Sequence, residues 1–173
     1  MRIGIDLGGT KTEGVVLNPA NCELLRRRYR TPQAEGYSAV LSTIVSLVHE
    51  LEQSVDGNCS VGIGTPGIIS QADGSLRNSN TVCLIGKPII ADLERELGRP
   101  IRIENDANCF ALSEAIDGAG RGYETVFGVI MGTGVGGGII HQGKLIPGRL
   151  HISGEWGHNP LETDGPHCYC GRR

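Results

Sequence analysis

The first residues of the chain alternate between apolar and polar positions in a way that predicts paired β-strands. Ile3 to Leu7 has the period of two that is typical of a half-buried strand. The pair Gly8-Gly9 interrupts this pattern, and strand character returns from Thr12 to Leu17. Two strands separated by a glycine pair predict a β-hairpin with the glycines at its tip.

A helical period appears later in the chain. Apolar residues at positions 37, 40, 41, 44, 47, 48 and 51 form one continuous face, which predicts an amphipathic helix from Tyr37 to Ser54. Shorter apolar runs and glycine or proline stops predict strands over 22–29, 60–64, 101–103, 126–131 and 139–141, a hairpin over 68–77, and helices over 88–97 and 107–116. The mixture of strands and helices indicates an α/β fold.

The tip of the opening hairpin carries the parts of a phosphate site. Gly8 and Gly9 let the backbone approach a ligand, and their N–H groups can form an anion-binding nest. Thr10 adds a hydroxyl, Lys11 adds a positive charge, and Asp6 at the strand end could hold a hydrated metal ion. A lone Gly-Gly turn beside a surface lysine is more often an ordinary hairpin, so this interpretation depends on the rest of the chain.

A second strand, glycine-rich turn and strand follow at 126–141, with the run Gly132 to Gly138 in the middle. Two such hairpins on facing lobes would let both grip one polyphosphate. Asp106 lies between them in sequence, just after a predicted strand, where it is either a carboxylate at a cleft or simply a helix N-cap. We place the boundary of the two lobes near Arg121, which gives ranges 1–120 and 121–173.

Composition excludes several classes of partner. The formal net charge is −3 and the pI is about 5.9, so neither nucleic acid nor a membrane surface is favoured as a partner. The sequence has no apolar run of about 18 residues and no basic-then-apolar leader. The expected location is therefore the cytoplasm.

Taken in order, the motifs resemble the ROK family of sugar kinases, which belongs to the actin-like ATPase superfamily. The matching segments are Asp6-x-Gly-Gly-Thr-Lys11, Glu104-Asn-Asp-Ala-Asn108, Gly132-Thr-Gly-Val-Gly-Gly-Gly138, Gly154-Glu-Trp-Gly-His158 and Cys168-x-Cys170-Gly171. The resemblance implies an actin-like (ribonuclease H-like) α/β fold with the first lobe complete and the second lobe truncated. Family members are roughly 300 residues long, so we expect this chain to be a fragment of a kinase.

The resemblance also implies roles for individual residues. Asp106 would be the general base that accepts the proton of the attacking sugar hydroxyl. ATP phosphates, with Mg²⁺, would be bound by Asp6, Gly8, Gly9, Thr10, Lys11, Gly132, Thr133, Gly134, Gly136 and Gly137. The sugar hydroxyls would be bound by Gly67, Asn80, Asn105, Glu155 and His158.

A structural zinc ion is a further implication of the resemblance. His158, Cys168 and Cys170 are nitrogen and sulfur ligands of the type that zinc favours. The family pattern would place a fourth ligand two residues beyond Arg173. The resemblance also implies a homodimer at full length.

The substrate is expected to be a hexose. Asn78-Ser-Asn-Thr81 and Gly154-Glu-Trp-Gly-His-Asn-Pro-Leu161 are similar to bacterial fructokinases and mannokinases, so fructose is the first expectation. N-acetylglucosamine is the second, because kinases of that sugar share the segment 105–114, and glucose is the third. A ROK-type transcriptional regulator is the alternative from another class, although such regulators carry a DNA-binding domain before the first strand and here the hairpin begins at residue 3.

Overall fold

The computed structural model describes residues 1–55, 59–132, 134–160, 162–167 and 171–173. Its main sheet has five strands, which are β1 (Arg2–Leu7), β2 (Lys11–Leu17), β3 (Glu23–Arg30), β4 (Ser60–Thr65) and β7 (Arg102–Asn105). They are arranged in the order β3-β2-β1-β4-β7. Strands β1, β4 and β7 are parallel, and β2 is antiparallel to both of its neighbours. The predicted opening hairpin is therefore the centre of an α/β sheet.

One face of this sheet is covered by α1 (Tyr37–Gln53), the helix predicted over 37–54. The apolar face of α1 is buried through Val40, Ile44, Leu47, Val48 and Leu51. It packs on the apolar side of the hairpin so closely that a Cβ atom on Gly14 of β2 would lie 2.6 Å from Leu51 Cδ1. The alternation at the start of the chain therefore directs the apolar side chains towards α1 and Asp6 towards the opposite face.

The chain between β4 and β7 forms the predicted hairpin and helix. The short strands β5 (Ile68–Ile69) and β6 (Leu76–Arg77) pair antiparallel, and α2 (Ile89–Leu97) follows. Helix α2 ends at Gly98, which has a left-handed backbone with φ of 66°, as expected for a glycine C-cap. The parallel crossover brings β7 to the edge of the main sheet.

A second sheet of three strands follows α3 (Asp106–Ile116). Its strands β8 (Thr125–Met131), β9 (Val135–His141) and β10 (Lys144–Leu145) are antiparallel. Helix α3 packs on this sheet through small residues: a Cβ atom on Gly128 would lie 2.7 Å from Ala111 Cβ, and one on Gly138 would lie 2.9 Å from the same atom. The glycine run of β9 is thus in part a packing surface for α3.

Most of the sequence-based boundaries differ from the structure by one or two residues, and two of the differences bear on the site. Strand β9 begins at Val135, four residues before the predicted start at Ile139, because β9 pairs with β8 through Gly136 to Gly138. Helix α3 begins at Asp106 instead of Ala107, and its N-cap is Asn105, so the interpretation of Asp106 as the cap is also wrong. The lobe boundary near Arg121 stays a prediction. Within the described ranges, none of the helices is both long enough and apolar enough to span a bilayer.

Candidate active site

The tip of the β1–β2 hairpin is held by hydrogen bonds on one side. The Gly8 N–H donates to the Lys11 carbonyl oxygen at 3.0 Å, which closes the turn. Thr31, the residue after β3, donates from its N–H to the Thr10 carbonyl oxygen at 3.0 Å and from Oγ1 to the Gly8 carbonyl oxygen at 2.7 Å. The predicted phosphate loop is therefore a fixed structure, and Thr31 is a residue that sequence reasoning missed.

The predicted sugar-binding loop lies against this tip. A Cβ atom on Gly9 would be 3.6 Å from both Asn80 Oδ1 and Thr81 Oγ1. Asn80 is exposed, whereas Thr81 is fully buried and anchors the loop. The structure thus brings the residue predicted to bind sugar beside a residue predicted to bind phosphate.

Asn105 joins the end of β7 to the start of α3 and to the loop after β4. Its Oδ1 accepts from the N–H of Asn108 at 3.1 Å, which caps the helix, and its Nδ2 donates to the carbonyl oxygen of Gly67 at 3.1 Å. Gly67 has φ of 95°, and a Cβ atom there would lie 2.3 Å from the Arg77 carbonyl oxygen. Only glycine satisfies both requirements, so Gly67 and Asn105 form one rigid unit.

Asp106 occupies the first position of α3. Its Oδ1 accepts from the N–H of Ala107 at 2.9 Å, and within the described part of the chain no hydrogen bond to Oδ2 is recorded. The side chain is half-buried. One carboxylate oxygen is thus held by the helix start while the other is available to a ligand.

Glu155 reaches the same place from the turn 154–157, which packs tightly against β9. Cβ atoms on Gly154 and Gly157 would lie 2.5 Å and 2.1 Å from the carbonyl oxygens of Gly137 and Val135, so neither position has room for a side chain. Both carboxylate oxygens of Glu155 lie 3.8 Å from the Cβ position of Gly136, which is itself 3.4 Å from Ala107 Cβ.

Trp156 secures this turn. Its Nε1 donates to the Gly136 carbonyl oxygen at 3.1 Å, and its ring makes an edge contact with Phe127 at 6.4 Å between centroids. Both contacts join the turn to the β8–β9 hairpin. The turn and the hairpin therefore position Glu155 together.

Three carboxylates interact electrostatically at this site. Desolvation by the surrounding protein raises the pKa of Asp6 although the residue is exposed, and the neighbouring charges of Asp106 and Glu13 raise it further against the opposing effect of Lys11. Burial likewise raises the pKa of Glu155, with Asp106 adding to the shift and His158 opposing it. Because the charge of Asp106 acts on both of the others, the carboxylates of Asp6, Asp106 and Glu155 lie within electrostatic range of one another.

The pKa of the Cys109 thiol is affected by the same negative charges. Burial raises its pKa to about 11, and the charges of Glu104, Asp106 and Asp6 contribute. The thiol lies under the main sheet, 3.5 Å from the Cβ position of Gly64. It is therefore protonated at neutral pH and is not a nucleophile.

For the other predicted site residues, the structure shows fewer contacts with the site. Gly132 and Gly134 lie at the tip of the β8–β9 hairpin with open space where a side chain would be, whereas Gly136 and Gly137 lie within β9. Thr133, Cys168 and Cys170 lie outside the described residues. His158 is exposed near Glu155. Among the residues that the structure describes, no cluster of three or more His, Cys, Asp or Glu side chains could hold a metal ion.

A cavity of about 130 Å³ adjoins Gly67 and Asn105. Its apolar wall includes Ile68 and Ile103, and His151 also lines it. Sequence reasoning missed His151, which carries no motif signal and reaches this position through a left-handed backbone with φ of 57°. Two of the predicted sugar-binding residues, Gly67 and Asn105, thus border a cavity with both apolar and polar walls.

Comparisons with known proteins point to one family. A model of the ROK family matches residues 2–173. The N-acetyl-D-glucosamine kinase of Yersinia enterocolitica is 44% identical over 164 residues, which are 95% of this chain and 54% of that protein. The chain therefore spans about half the length of the curated relatives it matches.

Solved structures show the same fold. The chain is similar to a ROK family glucokinase from Streptomyces griseus in complex with glucose and AMPPNP, with a TM-score of 0.86 and 32% identity over 99% of this chain and 54% of that one. A ROK hexokinase from Thermus thermophilus gives a TM-score of 0.84 and 36% identity over 99% and 57% of the two chains. These matches confirm the predicted actin-like α/β fold, and the chain belongs to the ROK family.

Proposed function

We propose that the full-length protein is an ATP-dependent hexose kinase with N-acetylglucosamine as its preferred sugar. The observation that carries the proposal is the placement of Asp106. One oxygen of its carboxylate is held by the start of α3, the other has no partner among the described residues, and its charge acts on the carboxylates of Asp6 and Glu155.

In this proposal Asp106 accepts the proton of the sugar hydroxyl as that hydroxyl attacks the γ-phosphate of ATP. Phosphoryl transfer requires mainly positioning and charge compensation. The hairpin Gly8 to Lys11 supplies backbone N–H groups and a cation for the phosphates. Gly132, Thr133, Gly134, Gly136 and Gly137 are proposed to hold the phosphate tail from the other side.

We infer that a divalent cation binds near Asp6. Desolvation by the surrounding protein is the main cause of the raised pKa values of Asp6 and Glu155, and the charge of Asp106 adds to both shifts; a bound cation would favour the ionised forms. Asp6 is the residue proposed to hold Mg²⁺ through water. When bound, Mg²⁺ would supply charge neutralisation at the phosphates.

The sugar is proposed to lie between the loop of Asn80, the Gly67–Asn105 unit and Glu155, with His158 at the same end. The amide of Asn105 is already bonded at both ends, but Nδ2 has a second hydrogen and Oδ1 a second lone pair. A sugar whose hydroxyls pair with these fixed groups should bind well. A sugar that leaves the groups buried without partners should bind much more weakly.

The relatives change the order of preference among sugars. Motif similarity favoured fructose, but curated relatives at 43–46% identity, among them the Yersinia enterocolitica protein, are N-acetyl-D-glucosamine kinases. We therefore prefer N-acetylglucosamine to fructose. The test is a panel of N-acetylglucosamine, glucose, mannose and fructose, each with ATP and Mg²⁺, and a clear preference for fructose would contradict the proposal.

Substitution of the base tests the mechanism. Asp106→Asn keeps the side-chain size and should lower kcat by about 10²- to 10⁴-fold. Asp117→Asn is the matched control, because Asp117 is exposed at the opposite end of the same helix, and it should leave kcat within about twofold of the wild type. Normal turnover by Asp106→Asn would remove Asp106 from the role of base. Sugar binding without any turnover by the wild type would favour a ROK-type regulator.

Two further features complete the proposal. A zinc site of His158, Cys168 and Cys170 is supported by the type of these ligands and by the resemblance to the family pattern, and metal analysis of the full-length protein with and without Cys168→Ser tests it. A homodimer is proposed for the full-length protein, and its mass in solution by light scattering tests this. An unchanged zinc content in the Cys168→Ser variant would contradict the zinc site. A monomeric mass would contradict the homodimer.

A further inference from the structure

We propose that Thr31 is a positioning residue that fixes the phosphate-binding hairpin in its ligand-ready shape. This inference rests on the proposed function, because it assumes that Gly8 to Lys11 bind the phosphates of ATP. Thr31 lies outside the hairpin, directly after β3, and belongs to none of the motifs that carry the family resemblance. Its contacts, not its sequence context, single it out.

The hydroxyl of Thr31 takes part in a directed chain of hydrogen bonds. Thr31 Oγ1 donates to the Gly8 carbonyl oxygen at 2.7 Å, and it lies 2.9 Å from Thr12 Oγ1. A carbonyl oxygen can only accept, so the single hydrogen of Thr31 is used on Gly8. Thr12 must therefore donate to Thr31, and the chain runs from Thr12 through Thr31 to Gly8, with each bond strengthening the next.

The backbone of Thr31 adds a second attachment. Its N–H donates to the Thr10 carbonyl oxygen at 3.0 Å. Thr31 thus holds the carbonyl groups of Gly8 and Thr10 on the side of the tip that faces β3. In the described part of the chain, the N–H groups of Gly9 and Thr10 make no recorded hydrogen bond to protein, so they are available for an anion. A phosphate is attracted by N–H groups and repelled by carbonyl oxygens, and this arrangement separates the two.

Burial makes the arrangement sensitive to the hydroxyl. Thr12 is 0% and Thr31 is 3% exposed, so water cannot easily replace a lost donor. Without the Thr31 hydroxyl, the Thr12 hydroxyl would be buried without its acceptor and the half-buried Gly8 would lose the donor to its carbonyl oxygen, and an unsatisfied buried polar group costs more than the bond itself contributes. The hairpin would relieve this by rotating the Gly8–Gly9 peptide, which two glycines permit.

The test uses variants of the full-length protein that lose or retain this hydroxyl. Thr31→Val keeps the shape and removes the hydroxyl, whereas Thr31→Ser restores it. Thr43→Val is the matched control, because it removes a hydroxyl that donates to the Ala39 carbonyl oxygen at 2.9 Å within α1, outside the hairpin. Calorimetry would give the affinities for AMPPNP and for AMP, and steady-state kinetics would give KM for ATP and for the sugar.

We expect Thr31→Val to weaken AMPPNP binding and raise KM for ATP by about tenfold, with AMP affinity and KM for the sugar unchanged. Thr31→Ser should restore wild-type values within about threefold, and Thr43→Val should match the wild type. A purely structural role would instead lower stability and weaken AMP and AMPPNP alike.

Normal AMPPNP affinity in Thr31→Val, with normal turnover, would overturn the inference while leaving the kinase proposal intact. If Thr31→Val does not fold, Thr12→Val decides: it removes the first donor of the chain and should weaken AMPPNP more than AMP, and equal effects on both ligands would refute the inference. A wild-type protein that does not bind AMPPNP would overturn the kinase proposal together with the inference.

Discussion

Replacement of Asn105 separates two contributions that its side chain makes to the site. Oδ1 caps α3 by accepting from the Asn108 N–H, and Nδ2 donates to the Gly67 carbonyl oxygen. Asn105→Ala removes both bonds, whereas Asn105→Ser keeps a good capping oxygen and loses the second donor. Serine and asparagine are about equally favourable N-caps, and loss of a cap costs about 1 kcal/mol of helix stability.

The expected result is a difference in local hydrogen exchange in the full-length protein. A loss of about 1 kcal/mol at the start of α3 corresponds to roughly fivefold faster exchange of the Asn108 amide in Asn105→Ala. Asn105→Ser should leave that amide near its wild-type rate. Both variants should lose about a further 1 kcal/mol of global stability from the Gly67 bond, measured by thermal unfolding.

The outcome that refutes this reasoning is clear. If the Asn108 amide exchanges equally fast in the alanine and serine variants, the cap does not stabilise the start of α3. If neither variant changes thermal stability, the bond to Gly67 contributes nothing. Asp117→Asn serves again as a control, because it changes the other end of α3 and should not affect exchange at Asn108.

Three other substitutions test the packing and the charges. Gly67→Ala should destabilise the protein by about 2 kcal/mol or more, because φ is 95° and the new Cβ would meet the Arg77 carbonyl oxygen; unchanged thermal stability would contradict this. Gly128→Ala should cost about 1–3 kcal/mol, because its Cβ would lie 2.7 Å from that of Ala111, and a neutral effect on urea unfolding would show that the contact can relax. Glu155→Gln should raise the melting temperature of the ligand-free protein at pH 7 but not below pH 4. The folded-state pKa of Glu155 is raised, so its ionisation opposes folding above the ordinary pKa and this penalty disappears once the carboxyl is protonated in both states; an equal gain at both pH values would refute the assignment.

The elements with a clear period were predictable from the sequence. The alternation from Ile3 to Leu7 gave β1 correctly, and the seven apolar positions of Tyr37 to Ser54 gave α1 to within one residue. In each case the pattern arises from burial of one face against the sheet core, which local sequence records directly.

Contacts between distant segments were not predictable in the same way. Val135 to Gly138 has too little side chain to show a strand period, yet it is a strand because β8 pairs with it. Both Asn105 and Asp106 have suitable capping side chains, and the bond from Asn105 to Gly67, 38 residues away, fixes which one caps. Thr31 is an ordinary residue in sequence, and its importance comes from three partners in the hairpin.

The close packing of α3 on the second sheet limits which substitutions the site can accept. Ala111 faces two positions, Gly128 and Gly138, that have no side-chain atoms left to remove. A bulkier residue at position 111 could be accommodated only by moving the helix away from both strands, and Asp106 would move with it. Substitutions at Ala111, Gly128 or Gly138 would thus change the position of the proposed base, Asp106. None of these three small residues touches the sugar in the proposed mechanism.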